Sequence, residues 1–178
     1  NTYVGTNAGA ANANGQQNVF IGRLAGGSCI TGSDNILIGN GAGLTTTANN
    51  NVMVGSFSGN SNTSGGGNTF LGTQSGQSTT TGGQNTFIGT VAGGSNVNGQ
   101  QNTLIGNGAA VGGSNLINAT AIGRASQVDA SNALVLGSVN GVNSAASTVK
   151  VGIGTTNPLD RLHVAVSYTH LRAHETEA

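Results

Sequence analysis

Charge is nearly missing from this chain. Of its 178 residues, five are Lys or Arg and five are Asp or Glu, 6% in all, where an ordinary globular chain carries about 25%. Arg23 and Asp34 are the only charged side chains before residue 124. With no basic patch, the counterion release that drives nucleic-acid binding has no source, and no nucleic-acid partner is expected. Trp is absent, Pro occurs once and aromatics make up 3%. No apolar run approaches the ~20 residues of a membrane-spanning helix, and no signal-peptide pattern is visible. The chain begins at Asn1 in the middle of a repeated phrase and reads as a fragment. A single Cys29 excludes an intrachain disulfide framework.

Reactive side chains are equally scarce. Residues 1–120 contain no His, Lys or Glu, so general acid–base catalysis has no pair of titratable groups to use. Neither an enzyme nor a cofactor is expected. Cys29, beside Ile30, reads as a small buried hydrophobe rather than a nucleophile. Calcium-binding β-roll repeats need an Asp in each turn, and the full repeats contain only Asp34. Gly39-Asn40-Gly41-Ala42-Gly43 and Gly152-Ile153-Gly154 brush against phosphate-binding motifs but lack the Lys-Ser/Thr that completes a P-loop. His170, His174 and Glu175 lie in a terminal segment of foreign composition and are not read as a metal site.

Glycine is what the chain has, 32 residues of it, and it is periodic. Gly5, Gly22, Gly39, Gly55, Gly72, Gly89, Gly106, Gly123 and Gly137 are spaced by 17, 17, 16, 17, 17, 17, 17 and 14 residues. Aligned on these glycines, the sequence resolves into columns. Asn1, Asn18, Asn35, Asn51, Asn68, Asn85 and Asn102 stand four residues before the Gly. Ile21, Ile38, Val54, Leu71, Ile88, Ile105 and Ile122 stand immediately before it, and Phe20, Leu37, Met53, Phe70, Phe87 and Leu104 two before. Ala or Ser follows three residues after it, then Gly, and a weaker column runs through Ile30, Thr47, Thr63, Thr80 and Val97.

A short run rich in Thr, Val, Ile and Phe between Asn and Gly is a strand signal. One such strand per ~17 residues predicts an all-β parallel β-solenoid, each repeat forming one coil stacked on the next. Like residues then lie about 4.8 Å apart, and Asn18, Asn35, Asn51, Asn68, Asn85 and Asn102 are expected to form an amide ladder. The two apolar columns point to opposite faces, because side chains alternate along a strand. The Ile21-to-Ile122 column is expected to fill the coil core. The stripe of Phe20, Leu37, Met53, Phe70, Phe87 and Leu104 is left to pack against other chains, since a strand apolar on both sides is buried on both. A thicker coil that buries both faces within one chain is the alternative.

The array is expected to span 1–148, with a modified end after Gly123 where the Asn column shifts to Asn118 and Asn132. Residues 149–166 form a terminal strand and neck toward a further C-terminal domain. In that neck Val149, Val151 and Ile153 alternate as a strand, and Leu159, Leu162 and Val166 have the spacing of a starting amphipathic helix or coiled coil. Residues 167–178 resemble translated sequencing-adaptor peptide and are set aside as a non-native tail.

Thr120-Ala121-Ile122-Gly123 and its short spacing to Gly137 resemble the head repeats of YadA-like trimeric autotransporter adhesins. The Asn-Thr-Phe-Ile-Gly phrase resembles longer-coil relatives in bacterial surface proteins and phage tail fibres. Val151-Gly152-Ile153-Gly154-Thr155-Thr156-Asn157-Pro158, through Leu162, resembles the segment before the coiled coil or chaperone domain of many phage fibres. The resemblance covers about residues 1–166. It implies a left-handed β-roll in a homotrimer, extracellular, on a bacterial outer surface or a virion fibre. It also implies a structural or adhesive role toward a host surface, carbohydrate or matrix ligand, with no membrane insertion within this stretch. A reading of another class is an ice-binding β-solenoid, for which Thr45-Thr46-Thr47 and Thr79-Thr80-Thr81 suggest a flat threonine array.

Overall fold

Each repeated phrase makes one short strand, and the strands stack. The computed structural model of the chain describes residues 1–153 and 155–165. The first seven strands are β1 (Thr2–Val4), β2 (Val19–Ile21), β3 (Ile36–Ile38), β4 (Val52–Val54), β5 (Thr69–Leu71), β6 (Thr86–Ile88) and β7 (Thr103–Ile105). They continue with β8 (Ala110–Val111), β9 (Thr120–Ile122), β10 (Gln127–Val128), β11 (Leu134–Leu136), β12 (Val151–Ile153) and β13 (Leu162–Val164). β1 to β7, β9 and β11 form one parallel sheet in sequence order. Its register places Phe70 beside Phe87 and Leu71 beside Ile88. The 16-residue spacing before Gly55 leaves this register intact, because Leu37 pairs with Met53 and Ile38 with Val54. The molecule is a β-solenoid.

The interior of the coil is not where the strand pattern alone places it. Phe20, Leu37, Met53, Phe70, Phe87 and Leu104 are fully buried within the single chain. The column expected to fill the core lies outside: Ile21 is 37% exposed, Leu71 46% and Ile122 39%. Ile38, Val54, Ile88 and Ile105 are half-buried. The two columns therefore exchange the roles the sequence suggested, and the larger side chain points inward.

The reason is volume across the coil. Facing Phe87 stand Ala92, fully buried, and Gly93, with φ of 70°. A Cβ built on Gly93 would collide with the Phe87 ring. The Ala/Ser and Gly columns are thus the space into which the ring column fits, so one thin coil houses a phenyl ring. Burying each ring contributes roughly 1.5–3 kcal/mol. Stacking adds to it: the Phe70 and Phe87 rings lie 4.9 Å apart at 7°, and Tyr3 lies 5.1 Å from Phe20 at 15°, an arrangement worth about 0.5–1.5 kcal/mol beyond area.

Much of the rest of the interior is polar, and its side chains are paired. Asn68 grips the following coil with both ends of its carboxamide. Its Oδ1 accepts from the Asn85 backbone N–H at 3.0 Å, and its Nδ2 donates to the Gly82 carbonyl at 3.0 Å. Asn85 repeats the clamp on Asn102 and Gly99, at 2.9 Å each. Asn18, Asn35, Asn51, Asn68, Asn85 and Asn102 are all buried. Among the described residues no buried side-chain nitrogen or oxygen lacks a partner. This matters because an unpaired buried polar group costs about 1–3 kcal/mol.

The ladder stops where the sequence loses its Asn. Ala119 occupies the next rung, and its N–H takes the last bond, to Asn102 Oδ1 at 2.8 Å. Asn118 and Asn132 do not continue the buried column. They are exposed corner residues with φ of 54° and 57°, in line with Gln84 and Gln101, and Asn118 Nδ2 donates to Asn132 Oδ1 at 3.0 Å. In this altered end a second small sheet forms from β8 and β10. Val111 and Val128 are buried there, next to the space that Ala121 leaves.

Beyond the array, β12 pairs in parallel with β13. The helix or coiled-coil start expected from Leu159, Leu162 and Val166 is therefore corrected: Leu162 lies in a strand, and Leu159 is 68% exposed. Three spaced apolar residues were too few to nucleate a helix. Val166 lies outside the described residues, as do His170, His174 and Glu175.

Candidate interaction surface

Two outward columns of the main sheet form the most extensive surface of one character. The third strand position presents Val4, Ile21, Ile38, Val54, Leu71, Ile88, Ile105, Ile122 and Leu136. The first position, on the same face by strand alternation, presents Thr2, then Val19, Ile36 and Val52, then Thr69, Thr86, Thr103 and Thr120, and last Leu134. Nine strands at ~4.8 Å make this ribbon about 40 Å long. It carries no charged side chain. In β5 to β7 and β9 the Thr residues edge it with methyl and hydroxyl groups, and β2 to β4 are aliphatic at both outward positions.

The other sides of the coil are different. At the corner before the strand, Gln17, Asp34, Asn50, Gln84 and Gln101 adopt positive φ and are exposed, with Gln101 Nε2 donating to Gln84 Oε1 at 3.1 Å. Arg23 and Asp34 are exposed. On the far side, Ile30 is 50% exposed and Thr47, Thr63 and Thr80 lie at the surface or half-buried. The buried column there is one residue earlier, Cys29, Thr46, Asn62, Thr79 and Asn96, all fully buried. Cys29 is buried as its sequence context suggested, but the periodicity visible in the sequence was that of the neighbouring column, and the rest of the buried one went unnoticed. The available signal was the Gly three residues after each of Cys29, Asn62, Thr79 and Asn96, which closes over them: Asn62 Nδ2 donates to the Gly65 carbonyl at 2.8 Å, and Asn96 Nδ2 to that of Gly99 at 3.2 Å.

The threonine triplets are split by this arrangement. Thr46 and Thr79 turn inward. The Thr47 hydroxyl donates to the Thr63 carbonyl at 2.9 Å, and the Thr81 hydroxyl to Asn98 Oδ1 at 2.8 Å. These hydroxyls tie coil to coil and do not form a flat array.

Cys29 is buried in this polar column, and burial pushes its thiol above the ordinary value, against the opposing contacts from Gly32 and Asn12. Its Sγ accepts from Asn12 Nδ2 at 3.5 Å. Among the described residues no group of three His, Cys, Asp or Glu side chains comes together.

The fold and surface together define the class, a parallel β-solenoid repeat protein. No protein-family model, curated protein or solved structure matches the chain.

Proposed function

We propose that the chain is a structural and adhesive fibre segment, extracellular on a bacterial surface or a phage tail, that works as a homotrimer joined through the outward strand ribbon. The observation that carries this reading is an uncharged, largely aliphatic ribbon about 40 Å long left uncovered by the single chain. Soluble monomers rarely leave contiguous apolar surface of more than a few hundred Å² in water. The Phe column plays no part in this contact, being buried within its own coil. Because every strand presents an uncharged outward pair at the same two positions, copies aligned side by side present matching stripes along their length. Three copies is the number that the repeat phrases imply by their resemblance to adhesin heads.

Function in such a segment comes from stiffness and repetition. Stacked coils clamped by Asn side chains resist bending and local opening, and identical surfaces recurring at each coil give avidity to weak contacts with carbohydrate, matrix or host surface. Light scattering on the full chain after size exclusion tests the assembly. A trimer is expected for the native chain, and dissociation without loss of β-sheet circular dichroism for Leu71→Lys with Ile88→Lys. A folded native chain that runs as a monomer at micromolar concentration sinks the proposal.

A further inference from the structure

The chain contains five Asn-Gly pairs: Asn14-Gly15, Asn40-Gly41, Asn98-Gly99, Asn107-Gly108 and Asn140-Gly141. Such a pair is chemically labile because a glycine, having no Cβ, lets its own amide nitrogen approach the preceding side-chain carbonyl. In four of the five, the fold holds that nitrogen away. Gly41 N–H donates to the Arg23 carbonyl at 2.9 Å, Gly99 to Ser114 at 3.1 Å, Gly108 to Thr90 at 2.9 Å and Gly141 to Ala145 at 3.1 Å. Asn98 is also fixed by its side chain, which accepts from the Thr80 and Thr81 hydroxyls and donates to Asn115.

Asn14-Gly15 differs from all four in its backbone, and its side chain has none of the bonds that fix Asn98. Among the described residues no backbone carbonyl accepts from the Gly15 N–H, and the Asn14 side chain is exposed. The corresponding glycine of the fourth coil, Gly65, is held by its own coil, donating to Asn62 Oδ1 at 3.0 Å. In the first coil the matching Asn12 turns its Nδ2 to Cys29 Sγ instead.

We propose that Asn14 is a modification site, converted without an enzyme to aspartate and isoaspartate through a cyclic imide. The Gly15 nitrogen gives its proton to solvent and bonds to Asn14 Cγ, the Cγ–Nδ2 bond breaks, and ammonia leaves. Water then adds to either ring carbonyl and opens the ring to a free carboxylate. One water is consumed, one ammonia is released and nothing is oxidised or reduced. The product places a negative charge in a stretch whose other charges are Arg23 and Asp34. The isoaspartate form also inserts a backbone methylene just before Gly15, whose carbonyl receives Asn1 Nδ2 at 2.7 Å. The first coil thereby loosens as the protein ages.

Peptide mapping by mass spectrometry, after prolonged incubation of the full chain at mildly alkaline pH, reads all five pairs at once. Asn14 is expected to deamidate first in the folded chain, and the five are expected to react at comparable rates in denaturant. Any of the other four reacting first, or all five reacting equally in the folded chain, overturns the assignment. Amide exchange at Thr2, whose N–H donates to the Asn18 carbonyl at 2.7 Å, is expected to quicken in the aged chain. Unchanged exchange there removes the loosening.

Discussion

Phe87 and Ile88 are adjacent, both apolar, and belong to different regions of the molecule. Phe87 and its column are sealed inside the coil by Ala92 and Gly93, whereas Ile88 and its column form the outward ribbon. The inner column holds each coil together. The outer column contributes little to the coil and is available to something beyond it. Hydrophobicity therefore does not distinguish the two. What distinguishes them is whether small residues across the coil leave room.

The sharpest way to break the comparison is Phe87→Ala. It removes a ring stacked on Phe70 and is expected to cost about 3–5 kcal/mol, measured as a lowered denaturation midpoint. Asn85→Ala comes next. It leaves the Asn102 N–H without its buried partner and removes one of the two donors to the Gly99 carbonyl, for a loss of roughly 1–3 kcal/mol by the same measurement. On the outer face, Ile88→Ser is expected to change the stability of the dissociated chain by no more than about 0.5 kcal/mol while weakening self-association in sedimentation. A loss as large as that of Phe87→Ala would show that the two faces are not separate regions at all.

The smallest effect concerns pH. Burial raises the Cys29 thiol in the folded chain. Its contribution is therefore complete below the ordinary thiol range, about 8.5, and declines as pH rises through the folded value. Cys29→Thr copies Thr46 and Thr79 of the same buried column. It is expected to flatten the alkaline fall in melting temperature while leaving the neutral value nearly unchanged.

Much of the coil was legible because its chemistry repeats. The Gly spacing located every strand of the main sheet, and the Asn at each phrase start marked a polar residue whose carboxamide spans two coils. On the far side only Cys29 was read as buried, and the column it belongs to was missed, because small polar and apolar residues are mixed there and give little periodic contrast. Asn118 and Asn132 misled for a related reason. An exposed corner that needs positive φ and a buried rung that needs a carboxamide both favour Asn, and the sequence does not say which demand is being met.

The phrase Asn-Thr-Phe-Ile-Gly by itself determined a short strand, its period, parallel stacking in register and an apolar residue on each face. Those follow from local geometry and from the equivalence of the repeats. Which face is inside was decided only by tertiary structure. Strand alternation separates Phe from Ile but assigns neither to the core. The assignment depends on the volume left by residues five and six positions further along, brought opposite the strand only when the coil closes. Ala92 and Gly93 leave that volume, and the ring fills it.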